Sequence, residues 1–415
     1  MTTSPALRSE RYQAWLVVLL SLNFGILFFD RQAANFMMPQ IQPDLQLTNT
    51  QVGMLASGLS LTWAVAGLTV GPLSDRLGSR KPVLLACTVL FCLCSFLSGI
   101  AGGFVALLAA RLLMGVAEGG VMPVSHAMIV AEVKPERRGL AMGVGQNLGS
   151  SLLGSTVAPL VLVPLAAFVG WRTGFYLAAI PGLITALLIW LTLREVPKGS
   201  GAAHSDAPPI GLLQALSNRN VLLCALIAVL MVSYLVVCWT FMPLYLTKVT
   251  GYDGPVMSGV MAVLGISSAI SSFVLASLSD RHGRKPVFLA SCLIGTVLPL
   301  AALFWTGSPW IMGLLFFIGW FFNGTFPLFM ATIPAESVDP RLTATLAGFV
   351  GGIGEVLGGV LSPSLAGWLA DGYGLQATVW LLLVLVLLGF LCSLGLKESA
   401  PAVLARRAAA ASPAR

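Results

Sequence analysis

The chain has 415 residues and a mean hydropathy of +0.90, with 57% apolar residues and only 9% charged ones. Soluble globular domains carry about 25% charged residues, so this composition excludes a soluble enzyme or binding module and is typical of a membrane protein. The formal net charge of +7 does not indicate nucleic-acid binding, because the cations lie in short loops between apolar segments and form no water-facing basic domain.

Twelve apolar segments follow one another along the chain. A helix needs about 20 consecutive apolar residues to cross a bilayer, so each segment is a candidate transmembrane helix. The predicted helices cover residues 14–38, 51–73, 82–99, 104–130, 139–166, 173–193, 220–246, 254–279, 286–306, 309–334, 343–369 and 375–396. The 44 Gly and 24 Pro residues suit closely packed, interrupted helices rather than a β-barrel. The predicted fold class is an all-α membrane protein.

The twelve helices fall into two groups of six. Residues 194–219, rich in Pro, Gly, Ser and charged residues, predict a flexible cytoplasmic linker. The predicted domains are an N-terminal six-helix bundle over residues 1–193 and a C-terminal six-helix bundle over residues 220–396. Residues 397–415, rich in Ala, Arg and Pro, are expected to form a disordered cytoplasmic tail.

The distribution of Lys and Arg predicts the orientation of the helices. With the N-terminus inside the cell, the loops on the opposite side contain only Arg172 and Lys248, and every other loop or terminal cation is cytoplasmic. This asymmetry follows the positive-inside rule. We therefore expect a multi-pass protein of the inner (cytoplasmic) membrane, with both termini in the cytoplasm.

Two loops about 205 residues apart have nearly the same sequence. They read Gly71-Pro-Leu-Ser-Asp75-Arg76-Leu-Gly78-Ser-Arg80 and Ala276-Ser-Leu-Ser-Asp280-Arg281-His-Gly283-Arg284. At the same offset, Gly143 and Gly149 correspond to Gly348 and Gly354. A repeat that keeps its register over each half predicts two pseudo-symmetric copies of one helical bundle, an arrangement found in transporters that rock one half against the other.

Four charged residues lie inside predicted helices of the N-terminal half, namely Asp30 and Arg31 in the first helix and Arg111 and Glu118 in the fourth. A charge near the middle of a bilayer costs several kcal/mol unless it faces a cavity or a partner, so it marks a candidate functional site. The seven-residue spacing places Arg111 and Glu118 on one helix face, about 10 Å apart along the axis. The alternative is a static network in which two acids neutralise two bases.

The internal repeat helps to weigh these two interpretations. A network that only held the scaffold together would be expected in both halves, as the packing glycines are. At the equivalent positions the second half instead has Leu235, Val236, Phe316 and Asn323. This difference favours a functional role for the four charges.

Six helices, a linker and six further helices are the organisation of the major facilitator superfamily, which the chain resembles along essentially its whole length. The doubled Gly-x-x-x-Asp-Arg-x-Gly-x-Arg/Lys loop is that family's best-known motif. In the second copy, Ala276 replaces the leading Gly. The resemblance implies that both loops act as gates in conformational change, through Gly71, Asp75, Arg76, Gly78, Arg80, Asp280, Arg281, Gly283 and Arg284.

Phe28-Phe-Asp30-Arg31 and Arg111-Leu-Leu-Met-Gly-Val-Ala-Glu118-Gly-Gly resemble the anion:cation symporter branch of the superfamily. That branch includes bacterial sugar-acid and other organic-anion/proton symporters and the vesicular glutamate transporters. The resemblance implies that Asp30 and Glu118 take up protons, while Arg31 and Arg111 bind the substrate carboxylate. It also implies polar substrate contacts at Gln146 and Asn147.

The chain departs from this branch at two aromatic positions. Phe28 replaces the tyrosine common just before Asp-Arg, and Trp63 stands where a second aromatic hydroxyl is expected. Fewer hydroxyl groups leave fewer partners for a polyhydroxylated sugar acid. The substitutions therefore favour a less polar carboxylate, either aromatic or short-chain.

Three further residues are candidates. Glu355 has no acidic counterpart in the first half. It is a second proton site, a substrate contact from the second half, or a group that hydrogen-bonds a neighbouring helix. Asn323 is a candidate substrate contact. His126 is either a proton relay, since histidine titrates near neutral pH, or a packing residue.

The sequence thus predicts a monomeric secondary transporter that couples carboxylate uptake to protons by alternating access. The resemblance implies no cofactor or metal, only the proton as coupling ion. The main alternative is a proton-driven exporter of lipophilic or drug-like compounds or lysolipids. A transporter-like ligand receptor is a minor alternative, because the short linker and tail offer no output module. No nucleophile–base pair or metal-ligand cluster supports an enzyme.

Overall fold

The computed structural model describes residues 9–145, 149–196, 218–338 and 342–411. Within these residues, twelve helices are long and apolar enough to cross a membrane, and no β-strand is present. They are α1 (Glu10–Asp44), α2 (Asn49–Ser74), α3 (Lys81–Gly99), α4 (Phe104–Glu132), α5 (Ser150–Val169), α6 (Trp171–Thr192), α7 (Arg219–Lys248), α8 (Gly254–His282), α9 (Arg284–Phe304), α10 (Pro309–Glu336), α11 (Leu346–Tyr373) and α12 (Gln376–Leu394). The predicted all-α membrane class is confirmed.

Several of these helices are interrupted. Helix α4 consists of Phe104–Gly119 and Val121–Glu132, and α9 of Arg284–Gly295 and Val297–Phe304. Helix α10 passes through a 3₁₀ turn at Phe321–Thr325 and a π-helical segment at Leu328–Thr332. Such changes of hydrogen-bonding pattern are frequent at functional sites.

Two longer π-helical segments occupy equivalent positions in the two halves. Ser150–Val157 opens α5, and Gly354–Leu361 lies within α11. They stand about 205 residues apart, the same offset as the repeated loops. The duplication therefore extends from the sequence to an uncommon backbone conformation.

The chain divides into two compact units, one formed by residues 1–47 and 58–205 and the other by residues 48–57 and 206–415. Most of the predicted linker, residues 197–217, lies outside the described residues, so the boundaries at 193 and 220 stay a prediction. In the first unit a buried core joins α1, α3, α4 and α6, with Leu27, Phe91 and Val121 fully enclosed. This core includes residues of α1 and α4, the helices that carry the four charged residues of the N-terminal half.

Large apolar side chains also remain on the outside of the helices. Leu68, Phe168 and Trp310 are 73%, 90% and 88% exposed. A water-soluble protein rarely exposes so much apolar surface, whereas lipid tails accommodate it without cost.

The C-terminal tail differs from the sequence expectation. Pro401–Ala411 forms a further helix, α13, where we expected disorder. The segment is rich in Ala, which has the highest helix propensity, and Pro occupies its first position.

Candidate functional site

The carboxyl group of Asp30 lies in the middle of α1 and is completely buried. Its Oδ1 atom is 2.5 Å from the hydroxyl oxygen of Ser95 on α3, and the same hydroxyl is 3.1 Å from the backbone oxygen of Phe175 on α6. The second oxygen, Oδ2, has no hydrogen-bond partner among the described residues. Among the described residues, the hydrogen-bond donor to Asp30 is thus a neutral hydroxyl, and Arg111 interacts with Asp30 electrostatically without a hydrogen bond.

Arg111 is the second buried member of the site, with 2% of its surface exposed. Its Nη2 donates to Ser98 Oγ at 3.2 Å and its Nη1 to Met114 Sδ at 3.2 Å. The guanidinium carbon is 5.2 Å from the centre of the Phe175 ring, a cation–π contact. Its Nε has no partner in the described part of the chain. Arg111 therefore has an N–H group that could donate a further hydrogen bond.

Glu118, on the same helix as Arg111, is fully buried. Its Oε2 lies 3.8 Å from Nε of Arg31, too far for a hydrogen bond. Neither carboxyl oxygen accepts a hydrogen bond from any described residue. A buried acid with only a distant partner differs from the acids of static ion networks, which are normally paired and hydrogen-bonded.

Arg31 is the least buried of the four charges, with 18% of its side chain exposed. Its guanidinium carbon lies 5.5 Å from the ring centre of Phe28 and 5.4 Å from that of Trp63. Two aromatic rings therefore flank the accessible cation.

Close packing of α2 against α4 places Trp63 at this site. A Cβ atom at Gly115 would collide with Thr62 Oγ1 and the Leu59 carbonyl, and one at Gly119 would collide with the Trp63 carbonyl. The two glycines, four residues apart, share one face of α4 and permit this contact, as small residues do between membrane helices.

The structure thus brings the four sequence-predicted charges together within the first unit, where all four interact electrostatically. The pairing of both acids with both arginines, which the alternative of a static network requires, is found only in part, as the long Arg31–Glu118 contact in the described residues. Gln146 and Asn147 lie outside the described residues. The roles assigned to all these residues stay predictions.

Sequence reasoning missed the two serines of α3 that hold Asp30 and Arg111. One signal was available, since Asn23 and Asp30 on α1 have the same seven-residue spacing as Thr88 and Ser95 on α3. In the structure Thr88 Oγ1 donates to Asn23 Oδ1 at 3.2 Å, a second polar contact between the same two helices. Matching polar spacing on two apolar helices indicated a shared interface.

The second unit holds two further candidates, Asn323 and Glu355. Asn323 donates to Ser268 Oγ at 2.9 Å, and Trp320 Nε1 donates to the same oxygen at 2.8 Å. Oδ1 of Asn323 has no partner among the described residues. Glu355 is half-buried within the π-helical segment of α11. The predicted roles of Asn323 in substrate binding and of Glu355 in proton transfer stay predictions.

His126 lies in the second part of α4 and is half-buried beside Ser125, Leu20 and Phe24, which line a small pocket. The Ser125 hydroxyl has no partner in the described residues. A relay role for His126 stays a prediction.

The first repeated loop is a tight turn between α2 and α3. Gly78 has φ = 61°, a conformation that favours glycine. The backbone N–H groups of Arg80 and Lys81 donate to Glu195 Oε1 at 2.7 and 3.3 Å, and Lys81 Nζ donates to the Leu193 carbonyl at 2.6 Å. Arg80, 8% exposed, donates to the Ala127 carbonyl.

The second loop repeats this arrangement. Gly283 has φ = 109°, and Glu398 accepts from the backbone N–H groups of Arg284 and Lys285 at 2.8 and 3.3 Å. Arg284 also pairs with Asp280 at 2.5 Å and with Glu336 at 2.8 Å. The motif glycines and cations are thus placed where a tight turn between helix ends requires them, and their role in gating stays a prediction.

The capping acids Glu195 and Glu398 were missed by the sequence analysis, and the side chain of Asp75 is outside the described part.

Comparison with known proteins decides the family. The family model described as Major Facilitator Superfamily matches residues 20–278 and 239–414. The chain belongs to the major facilitator superfamily. This member of the superfamily is a multi-pass membrane transporter rather than an enzyme, as the sequence predicted.

Two relatives are similar over nearly their whole length. The hexuronate transporter of Bacillus subtilis is 30% identical over 389 residues, which cover 88% of this chain and 90% of the relative. The 3-(3-hydroxy-phenyl)propionate transporter of Escherichia coli is 28% identical over 386 residues, covering 90% and 91%. Both are named for organic acids, and this agrees with the organic-anion resemblance.

A solved structure shares the fold. The structure of a bacterial homolog of the human lysosomal transporter Spinster, in an inward-facing and unoccupied conformation, superposes with a TM-score of 0.75 over 94% of this chain and 98% of that one. At 19% identity this likeness concerns the fold alone.

Proposed function

We propose that this member of the superfamily imports an organic carboxylate together with protons by alternating access. The observation that carries the proposal is the incompletely paired charge cluster, in which Glu118 has no hydrogen-bond donor among the described residues and Arg111 keeps an unpartnered Nε. Unsatisfied buried charges are expensive, so a site that retains them is expected to use them.

The cluster offers a route for coupling. While Glu118 is ionised it attracts Arg31, 3.8 Å away. When Glu118 takes up a proton this attraction ends, and Arg31 becomes available to a substrate carboxylate, which guanidinium groups bind through two parallel hydrogen bonds. The loaded site then carries little net charge, and this lowers the electrostatic cost of moving it through the membrane.

The surroundings of Arg31 favour a less polar substrate than a sugar acid. Its guanidinium lies over the rings of Phe28 and Trp63, which lack hydroxyl groups. One relative is named for a hexuronate and another for an aromatic propionate, and the two rings favour the aromatic or short-chain class.

The proposal also covers the membrane, the orientation of the chain, the oligomeric state and the coupling ion. The excess of Lys and Arg in the predicted cytoplasmic loops supports insertion in the inner membrane with both termini in the cytoplasm. One chain carries all twelve spans within its described residues, and this supports a monomer as the transport unit. The proton is the proposed coupling ion, with no further cofactor.

The test is uptake into proteoliposomes under an imposed pH gradient, acid outside. The labelled probes are 3-(3-hydroxyphenyl)propionate, glucuronate, glucose and a lipophilic cation. Arg111→Ala is compared with the matched variant Arg172→Ala, whose arginine is exposed and pairs with Asp44 outside the cluster.

We expect gradient-driven uptake of a carboxylate, abolished by Arg111→Ala and retained by Arg172→Ala. Uptake unaffected by the gradient would remove proton coupling from the proposal. Transport of the lipophilic cation alone would replace it with the exporter alternative.

A further inference from the structure

The hydroxyl group of Ser95 has two acceptors in reach but one proton to donate. It lies 2.5 Å from Asp30 Oδ1 and 3.1 Å from the backbone oxygen of Phe175, and a carbonyl oxygen can only accept. The two contacts therefore cannot both be ordinary hydrogen bonds donated by Ser95. Which one Ser95 makes depends on whether Asp30 carries a proton.

Each protonation state of Asp30 has its own hydrogen-bond arrangement. When the carboxyl group is ionised, Ser95 donates to it, and 2.5 Å is the length expected for a charge-assisted O–H···O⁻ bond. When the carboxyl group is protonated on Oδ1, it donates to Ser95, and Ser95 in turn donates to Phe175. Both contacts are then hydrogen bonds, and the difference between the states is a rotation of one hydroxyl group.

Ser95 differs from its neighbours on α3 because neither of its contacts lies within its own helix. Ser98 donates to the carbonyl four residues earlier at 2.8 Å, and the Thr88 hydroxyl lies 2.9 Å from the carbonyl four residues earlier as well as 3.2 Å from Asn23 Oδ1. A contact with that carbonyl is the usual arrangement for hydroxyl side chains in apolar helices. Both contacts of Ser95 reach other helices instead, so its hydroxyl joins α1 to α6.

Phe175, whose backbone oxygen is the second acceptor, contacts Arg111 through its ring. The ring of Phe175 lies 5.2 Å from the Arg111 guanidinium, and Arg111 also donates to Ser98, one turn from Ser95. Asp30 and Arg111 are thus connected through Ser95, Phe175 and Ser98. The other titratable or charged groups that interact with Asp30 are Glu118 of α4 and the thiols of Cys92 and Cys94 on α3.

We propose that Ser95 is a positioning residue whose hydroxyl turns from the Asp30 carboxylate to the Phe175 carbonyl when Asp30 is protonated, and so carries the protonation state of Asp30 to the surroundings of Arg111. This inference rests on the proposed proton-coupled function, which it deepens.

The decisive experiment is infrared spectroscopy of the purified full-length protein across a pH series. A protonated carboxylic acid has a carbonyl-stretch band that ionisation removes, and the band that disappears in Asp30→Asn belongs to Asp30. Ser95→Ala is compared with Ser291→Ala, a matched variant whose buried hydroxyl donates, within the described part of the chain, to the Val287 carbonyl of its own helix. Melting temperatures identify variants that retain the fold, and Ser95→Cys replaces Ser95→Ala where the latter does not.

We expect two changes in Ser95→Ala and none in Ser291→Ala. The band should move to higher frequency, because the protonated acid loses its acceptor. The pH at which half the band is lost should rise by roughly one unit, because an ionised group loses more on removal of a hydrogen bond than a neutral one does. A band that is absent at every pH, or that Ser95→Ala leaves in place, overturns the inference.

The result can be distinguished from failure of the proposed function. The infrared titration uses no substrate, so it tests Ser95 even where none of the carboxylate probes is transported. Carboxylate transport with an unchanged band in Ser95→Ala would in turn retain the function and reject only the role of Ser95.

Discussion

The two buried acids of the site are restrained to different degrees. Asp30 has a close hydroxyl partner in Ser95, whereas Glu118 has no hydrogen-bond donor among the described residues and lies 3.8 Å from Arg31. Without a hydrogen-bond donor, the ionised form of Glu118 is stabilised mainly by its attraction to nearby arginines such as Arg31. Glu118 is therefore the better position at which to separate proton coupling from substrate binding.

Glu118→Gln should lose pH-driven accumulation and retain exchange of substrate across the membrane. The amide keeps the shape of the protonated acid and cannot release a proton. Accumulation and counterflow of the same labelled carboxylate in proteoliposomes measure the two activities. Glu10→Gln, at an exposed acid paired with Lys134, should leave both unchanged. Survival of both activities in Glu118→Gln would show that coupling resides elsewhere.

Restoring the missing hydroxyl groups should shift substrate preference. The double variant Phe28→Tyr, Trp63→Tyr places two hydroxyls beside Arg31, and each hydrogen bond to a sugar acid is worth about 1 kcal/mol. We expect the uptake ratio of glucuronate to 3-(3-hydroxyphenyl)propionate to rise roughly fivefold per hydroxyl that bonds. Trp190→Tyr, at a tryptophan that is 59% exposed, is the control. An unchanged ratio would exclude these rings from the substrate site.

At the scale of helices, apolar length was sufficient to predict all twelve spans, because crossing a bilayer imposes a minimum run of apolar residues. Local sequence did not reveal the interruptions at Gly120 or the π-helical segments, which depend on packing against other helices. Four charges of the site were predicted because charge stands out in apolar helices. Ser95 did not stand out, because serine is common there and its partners are distant in the sequence.

The capping acids of the two loops should contribute to stability. Glu195→Ala removes the acceptor for the Arg80 and Lys81 backbone N–H groups at the start of α3. Loss of such a cap costs about 1 kcal/mol of unfolding free energy. Thermal unfolding of the purified protein should show a lower melting temperature for Glu195→Ala, and likewise for Glu398→Ala. Glu136→Ala, at an exposed loop acid, serves for comparison, and an equal effect there would contradict the capping role.

Across the whole molecule, the two units share their loops and their π-helical segments but not the four charges of the cluster, which are replaced by Leu235, Val236, Phe316 and Asn323 at the equivalent positions. The cluster of Asp30, Arg31, Arg111 and Glu118 belongs to the first unit alone. Duplication thus accounts for the scaffold, while the proposed chemistry is confined to one copy.

The proposed orientation of the whole chain rests on its loop cations and can be measured directly. A fluorescent protein fused to the C-terminus should fluoresce, because it folds in the cytoplasm and not after export through the bacterial secretion pathway. The same protein inserted at Gly251, in the predicted outer loop between α7 and α8, should remain dark. The reverse pattern would invert the topology and the proposed direction of transport.

The paired π-helical segments, Ser150–Val157 and Gly354–Leu361, have one more consequence. In each, the backbone N–H groups reach back five residues rather than four, so the segment holds one residue more than an α-helix with the same bonds. Deleting a residue from an ordinary helix rotates everything beyond it by about 100°. Deleting one here would instead restore α-helical bonding with the following half-helix still in phase. Each segment is thus a place where one residue can be lost without changing the orientation of the half-helix that follows.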